Sequence, residues 1–198
     1  MYRKSYVLMF LSFVMIAALL SGCAGMQAKP TEANFKAPAV TLSHVEVPYY
    51  VGYYYIGNKV EVTKGNKGNY GAPMMLAFIF EIENPNDFPV MMDGFQFSVL
   101  FEDFEVNTVM SPETMWIPAG KTNQIRVPAI FDTRQTLTTL LLPGAMKLKE
   151  KGISPWDKLE KWWTGMPEFS FPVSAKEGSA IFSADGIVKV VPFEAVFP

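Results

Sequence analysis

Hydrophobic and polar residues alternate with a period of two along most of the chain beyond residue 40. In 74–83, Met74, Leu76, Phe78, Phe80 and Ile82 fall on one face, and the other face ends in Glu81 and Glu83. In 95–102, Phe95, Phe97, Val99 and Phe101 alternate with Gln96, Ser98, Leu100 and Glu102. Ile125, Val127, Ala129 and Phe131 share a face in 123–131, as do Phe169, Phe171, Val173 and Ala175 in 169–176. Segments 40–47, 179–184 and 187–197 extend the set. This period is that of a strand with one face buried. Turn formers punctuate the segments: Asn84-Pro85-Asn86, Asp93-Gly94, Pro118-Ala119-Gly120, Glu177-Gly178 and Asp185-Gly186. About seven short strands so separated predict a mainly β chain, folded as an antiparallel sandwich.

One interval changes period. Asp132 and Thr133 are placed to cap a helix with Leu137, Leu140 and Leu141 at helical spacing, and Pro143-Gly144 stops or kinks it. Ser154-Pro155-Trp156-Asp157 reads as a second start, with Ser154 the cap, Pro155 in the first turn and an acid after it. Trp156, Leu159 and Trp162 or Trp163 then form one stripe. A helical connection over about 133–163 is expected to join two strands and close an open end of the sandwich.

The N-terminus follows a different rule. Arg3 and Lys4 precede an apolar run from Val7 to Leu20 interrupted only by Ser12. The run is short for a bilayer span, which needs about 20 residues, and suits a signal segment. It ends in Leu20-Ser21-Gly22-Cys23. This tetrapeptide resembles the lipobox of bacterial lipoproteins, in which the Cys thiol carries a diacylglycerol; the plainer reading is a secretory signal followed by a chance Cys. On the lipobox reading, residues 1–22 are removed, Cys23 is acylated and 23–39 tether a domain spanning 40–198. Ala24 in place of Asp favours an outer over an inner membrane where the source has two.

Composition sharpens these expectations. The chain has 198 residues, 49% hydrophobic, with 17 Lys+Arg against 19 Asp+Glu. Its mean hydropathy is +0.15. Residues 1–22 hold 16 of the hydrophobic residues, two basic residues and no acid, so the remainder is an ordinary, slightly acidic domain. Without a basic excess, nucleic acid is a poor partner. One Cys and one His exclude an internal disulfide and a Cys/His zinc site. No cofactor or metal is expected.

Asn84-Pro85-Asn86, with Phe88 and Pro89 after it, follows an alternating strand and precedes the second apolar strand GFQFSVLFE. Ile117-Pro118-Ala119-Gly120 then leads into a third. With the helical connection and closing strands, this order resembles the late-embryogenesis-abundant type 2 family, the water-stress and hypersensitive-response (WHy) domain, over about residues 36–198. The aromatic, Gly-rich stretch 49–72 has no counterpart in that pattern. The resemblance implies an immunoglobulin- or fibronectin-III-like sandwich, a role in desiccation and stress tolerance, and no enzymatic activity.

Several constellations carry two readings. Tyr49, Tyr50, Tyr53, Tyr54 and Tyr55 are five of the six Tyr beyond residue 22. They read as a recognition surface or as strand packing. Trp156, Trp162 and Trp163 read as a membrane-interface stripe or as a plug for the sandwich end. His44 has no nucleophile-elbow motif to serve. Glu81 and Glu83 have the spacing of a carboxylate pair or of a solvated strand face. Asp87, Asp93, Glu102, Asp103 and Glu105 lack the Gly-bearing loop of a calcium site. GNKGNYG at 65–71 lacks the Lys-Ser/Thr ending of a phosphate loop. The expectation is a non-catalytic, lipid-anchored envelope protein that binds an envelope protein or lipid, with a carrier of apolar ligands as the alternative.

Overall fold

The computed structural model describes residues 28–55, 58–59 and 72–198. The expected signal 1–22, with Leu20, Ser21 and Gly22, lies outside these residues, as do Cys23 and the Gly-rich 65–71. Three strands form one sheet in the order β1 (Ala39–Tyr50), β4 (Met74–Glu83), β8 (Thr122–Phe131). The second sheet runs β10 (Ile187–Phe197), β9 (Val173–Ala184), β5 (Val90–Phe101), β6 (Phe104–Ser111), with the short β7 (Met115–Ile117) also on β5. Every pairing is antiparallel. A three-stranded sheet packed on a five-stranded one in this order makes a fibronectin-III-like sandwich. A two-residue ribbon, β2 (Tyr54–Tyr55) with β3 (Asn58–Lys59), stands apart.

Three helices fill the interval between β8 and β9: α1 (Thr133–Leu141), α2 (Ala145–Lys151) and α3 (Pro155–Gly165). The expected caps are in place. Asp132 accepts from the Arg134 N–H at 2.9 Å, and Ser154 caps α3 above Pro155. Pro143-Gly144 divides α1 from α2, and α2 ends on Gly152 at φ +64°.

The alternating residues face one another across the sheets. Phe78, Phe80, Phe95, Phe97 and Phe193 interlock with ring centroids 4.7–6.4 Å apart. Aromatic pairs at this spacing add to the stabilisation from burial. A second group, Phe101, Phe104, Phe131, Phe171 and Trp162, fills the end nearer the helices.

The structure corrects the sequence reading at four places. Asp93-Gly94 and Glu177-Gly178 are not turns but lie inside β5 and β9 at shifts of register. The expected strands 169–176 and 179–184 are therefore parts of one strand, β9, which begins at Val173. A bulge inserts an extra residue without reversing the chain, and it uses the same residue types as a turn. Glu177 has φ +51°, and a Cβ on Gly178 would sit 2.5 Å from both the ring and the carbonyl of Phe193. Strand β6 has no clean alternation because Val106 and Val109, both buried, are three apart; the register shifts opposite Val99. Last, packing begins ahead of residue 40, within the expected tether: Phe35 is buried, edge-on to Phe88 at 5.9 Å.

Candidate functional site

At one end of the sandwich the chain enters the fold and the two sequence motifs meet. Asn84 directly follows β4 and is fully buried. Its side-chain amide donates to the carbonyls of Phe88, Ile117 and Pro118 at 2.9–3.1 Å. Its side-chain oxygen accepts from the backbone N–H and the side-chain amide of Asn86. Asn86 in turn accepts from the Lys36 N–H at 2.7 Å and donates to the Lys36 carbonyl at 2.9 Å. The Asn86 carbonyl accepts from Gly120 N–H, and Lys121 N–H closes the turn on Pro118. Asn is suited to this place because one planar group both donates and accepts. The expected strand-ending turn at Asn84-Pro85-Asn86 is thus a node joining three segments: the incoming chain at Lys36, the Phe88 loop and the turn before β8.

The opposite end is closed by helices, and its chemistry is aromatic. Trp162 and Trp163 are fully buried. Trp163 Nε1 donates to the Ala72 carbonyl at 2.9 Å, and the Ala72 N–H donates to Thr133 Oγ1 at 3.0 Å. The Tyr50 hydroxyl donates to the Trp163 carbonyl at 2.8 Å, and burial pushes its pKa up. Trp162 lies among Phe101, Phe104 and Phe171, and its Nε1 has no acceptor among the described residues.

Of the eight aromatic residues read as a candidate partner surface, Trp162, Trp163 and Tyr53 are therefore core. Helical spacing places Trp162 and Trp163 on adjacent positions, and only the packing of α3 against α1 and the sheet ends turns both inward. Tyr50 is half-buried, whereas Tyr49 and Trp156 are exposed. The Tyr54 and Tyr55 side chains are outside the described residues.

Ion pairs hold the helices on the β5–β6 hairpin. Glu102, at φ +54°, pairs with Lys158 and with Lys161 at 3.4 Å. Asp103 pairs with Lys151 at 2.9 Å and Lys147 at 3.5 Å, and Lys147 also donates to the Asp103 carbonyl. Burial alone would raise the Glu102 carboxyl; Lys158 and Lys161 outweigh it and hold the pKa below its ordinary value. Asp103 shows the same balance, with Lys151 and Lys147 lowering it. The Lys158 ammonium is almost buried and lies over the rings of Phe104 and Trp162 at 5.6 and 5.5 Å.

The remaining candidates stand apart from one another. His44 is on the exposed side of β1, 3.2 Å from Ser43 Oγ and 3.6 Å from Glu46, which also binds Arg126. Glu81 and Glu83 are exposed and pair in register with Thr41, Gln124, Ala39 and Thr122. Glu105 accepts from Ser98 and Thr108, and Asp93 from Ser183; Asp87 is exposed in the loop after Asn86. Among the described residues, no three His, Cys, Asp or Glu gather as metal ligands. An open groove of about 570 Å³ runs between the outer face of β5–β6 and the α1–α2 turn, with Ser98, Thr108, Gln135, Lys147 and Lys176 on its walls.

No known family model matches the chain, and no curated protein matches it either. Solved structures do. A crystal structure of a protein from Archaeoglobus fulgidus is similar over 79% of this chain and 94% of its own, at 9% identity and a TM-score of 0.41. An X-ray structure of a Northeast Structural Genomics Consortium target is similar over 81% of this chain and 85% of its own, at 8% identity and a TM-score of 0.44.

Proposed function

We propose that this chain is a lipid-anchored envelope protein whose fibronectin-III-like domain serves as a non-catalytic, WHy-like binding module. The observation that carries the reading is the way the chain joins the fold. Lys29 is six residues beyond Cys23, and Lys36 is held at both its N–H and its carbonyl by the Asn86 side chain. Acyl chains on Cys23 would thus hold a rigid domain on a short leash by a defined end. Two or more acyl chains hold a protein stably on a bilayer. Among the described residues, no helix is long and apolar enough to cross a membrane.

The motif that carries the family resemblance also has a structural task here, because Asn84-Pro85-Asn86 and Ile117-Pro118-Ala119-Gly120 bond to each other. This supports reading them as one domain signature and not as two chance turns. A protective role under water stress follows from that resemblance. The carrier alternative needs apolar space between the sheets, and the interlocked Phe rings at the centre count against it.

Metabolic labelling tests the anchor. Wild-type protein should incorporate labelled palmitate and sediment with membranes, and Cys23→Ala should do neither. Continued labelling of Cys23→Ala would overturn the reading.

A further inference from the structure

The outer face of the five-stranded sheet carries an apolar patch at the end where the chain enters. Register defines it. Val188 pairs with Ser183, Ser183 with Met91 and Met91 with Trp116, giving one row across four strands. In the next row Val190 pairs with Ile181, and Ile181 with Gly94. The Ile181 side chain lies over Gly94, with its Cδ1 in van der Waals range of the Gly94 Cβ position at 3.5 Å. Val190 is 62% exposed and Trp116 58%, a high value for the large apolar side chain of a sandwich face. Outward positions of a half-solvated sheet are ordinarily polar, and here the outer face of the other sheet carries Glu81, Glu83 and Arg126 on β4 and β8.

We propose that this patch rests on the surface of the bilayer in which the Cys23 acyl chains are embedded. The inference rests on the lipidated reading of Cys23. The length of chain outside the structure and the place where it ends carry it. Six residues reach at most roughly 20 Å, and Lys29 lies 3.5 Å from Asp185 in the β9–β10 turn. Val188 and Ser183, at the end of the first row, flank that turn. The tether therefore brings this end of the domain to the lipid, with the β9–β10 edge of the patch beside its point of attachment. Tethering raises the local concentration of the surface to the millimolar range, so a weak apolar contact suffices. Trp is also the residue favoured at the headgroup boundary.

The charges of the patch set its salt dependence. Asp185 is paired with Lys29, and Asp93 accepts from Ser183. No basic cluster faces the lipid from these rows, so the contact is apolar and persists at high ionic strength.

Single thiols in the full lipidated protein test it, because acylation consumes Cys23. Val190→Cys and Glu81→Cys place an environment-sensitive fluorophore at the same end of the domain, on opposite outer faces. In phosphatidylcholine vesicles containing spin-labelled phosphatidylcholine, the label at Val190→Cys should be quenched severalfold more than the label at Glu81→Cys, at low and high salt alike. Equal quenching, no quenching, or loss of the difference in high salt would overturn the proposal. So would a Val190→Cys cross-link between two copies that shields the label without lipid. A chain without added Cys that takes up the thiol reagent would instead refute lipidation, independently of the docking result.

Discussion

The two ends of the sandwich are closed by opposite means. Where the chain enters, a buried polar node of two asparagines ties backbone to backbone. Where β8 leads to β9, helices seal the end with indole rings and four lysines on two acids. The first solution is rigid and local. Every hydrogen-bonding atom of the Asn84 side chain is used, and its partners lie in the Phe88 loop, at the end of β7 and in the turn before β8. The second is modular. Apolar burial supplies most of its stability, and the ion pairs on Glu102 and Asp103 orient the helices at its rim. A polar node holds only if complete, because each orphaned buried group costs about 1–3 kcal/mol. An apolar cap loses stability in proportion to the volume removed.

Three substitutions separate the two modes. Asn84→Ala should have the largest effect, about 4 kcal/mol, since it removes at once the bonds to the Phe88, Ile117 and Pro118 carbonyls and those from the Asn86 N–H and side-chain amide. Urea unfolding should show it, and a loss below about 1 kcal/mol would mean that water replaces the node. Trp163→Phe removes the bond to Ala72 and part of a fully buried ring, so about 2 kcal/mol is expected. A loss as large as that of Asn84→Ala would show that the helical end tolerates deletion no better than the polar node does.

Glu102→Gln should have the smallest effect at neutral pH, about 1 kcal/mol, because Gln keeps an oxygen to accept from Lys158 and the Lys161 pair is solvated. Its signature lies in the pH dependence. The Glu102 carboxyl is held below its ordinary value in the folded protein, so its contribution is fully present above the unfolded pKa and fades as pH falls through the folded one. Thermal midpoints measured from neutral to acid pH should thus fall less steeply for Glu102→Gln than for wild type. Parallel curves would remove the ion pair from the account of the helical end.

The legibility of the two ends in the sequence differs for the same reason. Alternation of period two located β4, β5, β8 and β10, and the helix caps Asp132 and Ser154 were legible because capping is a local event within one turn of chain. Asp185-Gly186 is the turn its residues predicted, with φ of +49° and +84°. Asp93-Gly94 and Glu177-Gly178 carry the same acid-Gly signal in sequence and are bulges. The choice between reversing and continuing a strand belongs to the neighbouring strands, here Ile181 over Gly94 and Phe193 over Gly178.

Residue types and spacing alone determined the β-rich class, the helical interval and the motifs that end strands. Only tertiary packing decided which aromatic residues are surface and which are core, since the Tyr and Trp clusters carry no period that distinguishes a partner-facing ring from a buried one. It also decided that Asn84 and Asn86 bond to residues 36 and 117–120. Those contacts join segments tens of residues apart, and a pattern read along the chain has no access to what long-range closure brings together. The placement of an apolar patch beside the incoming chain arises in the same way, from strand order and register.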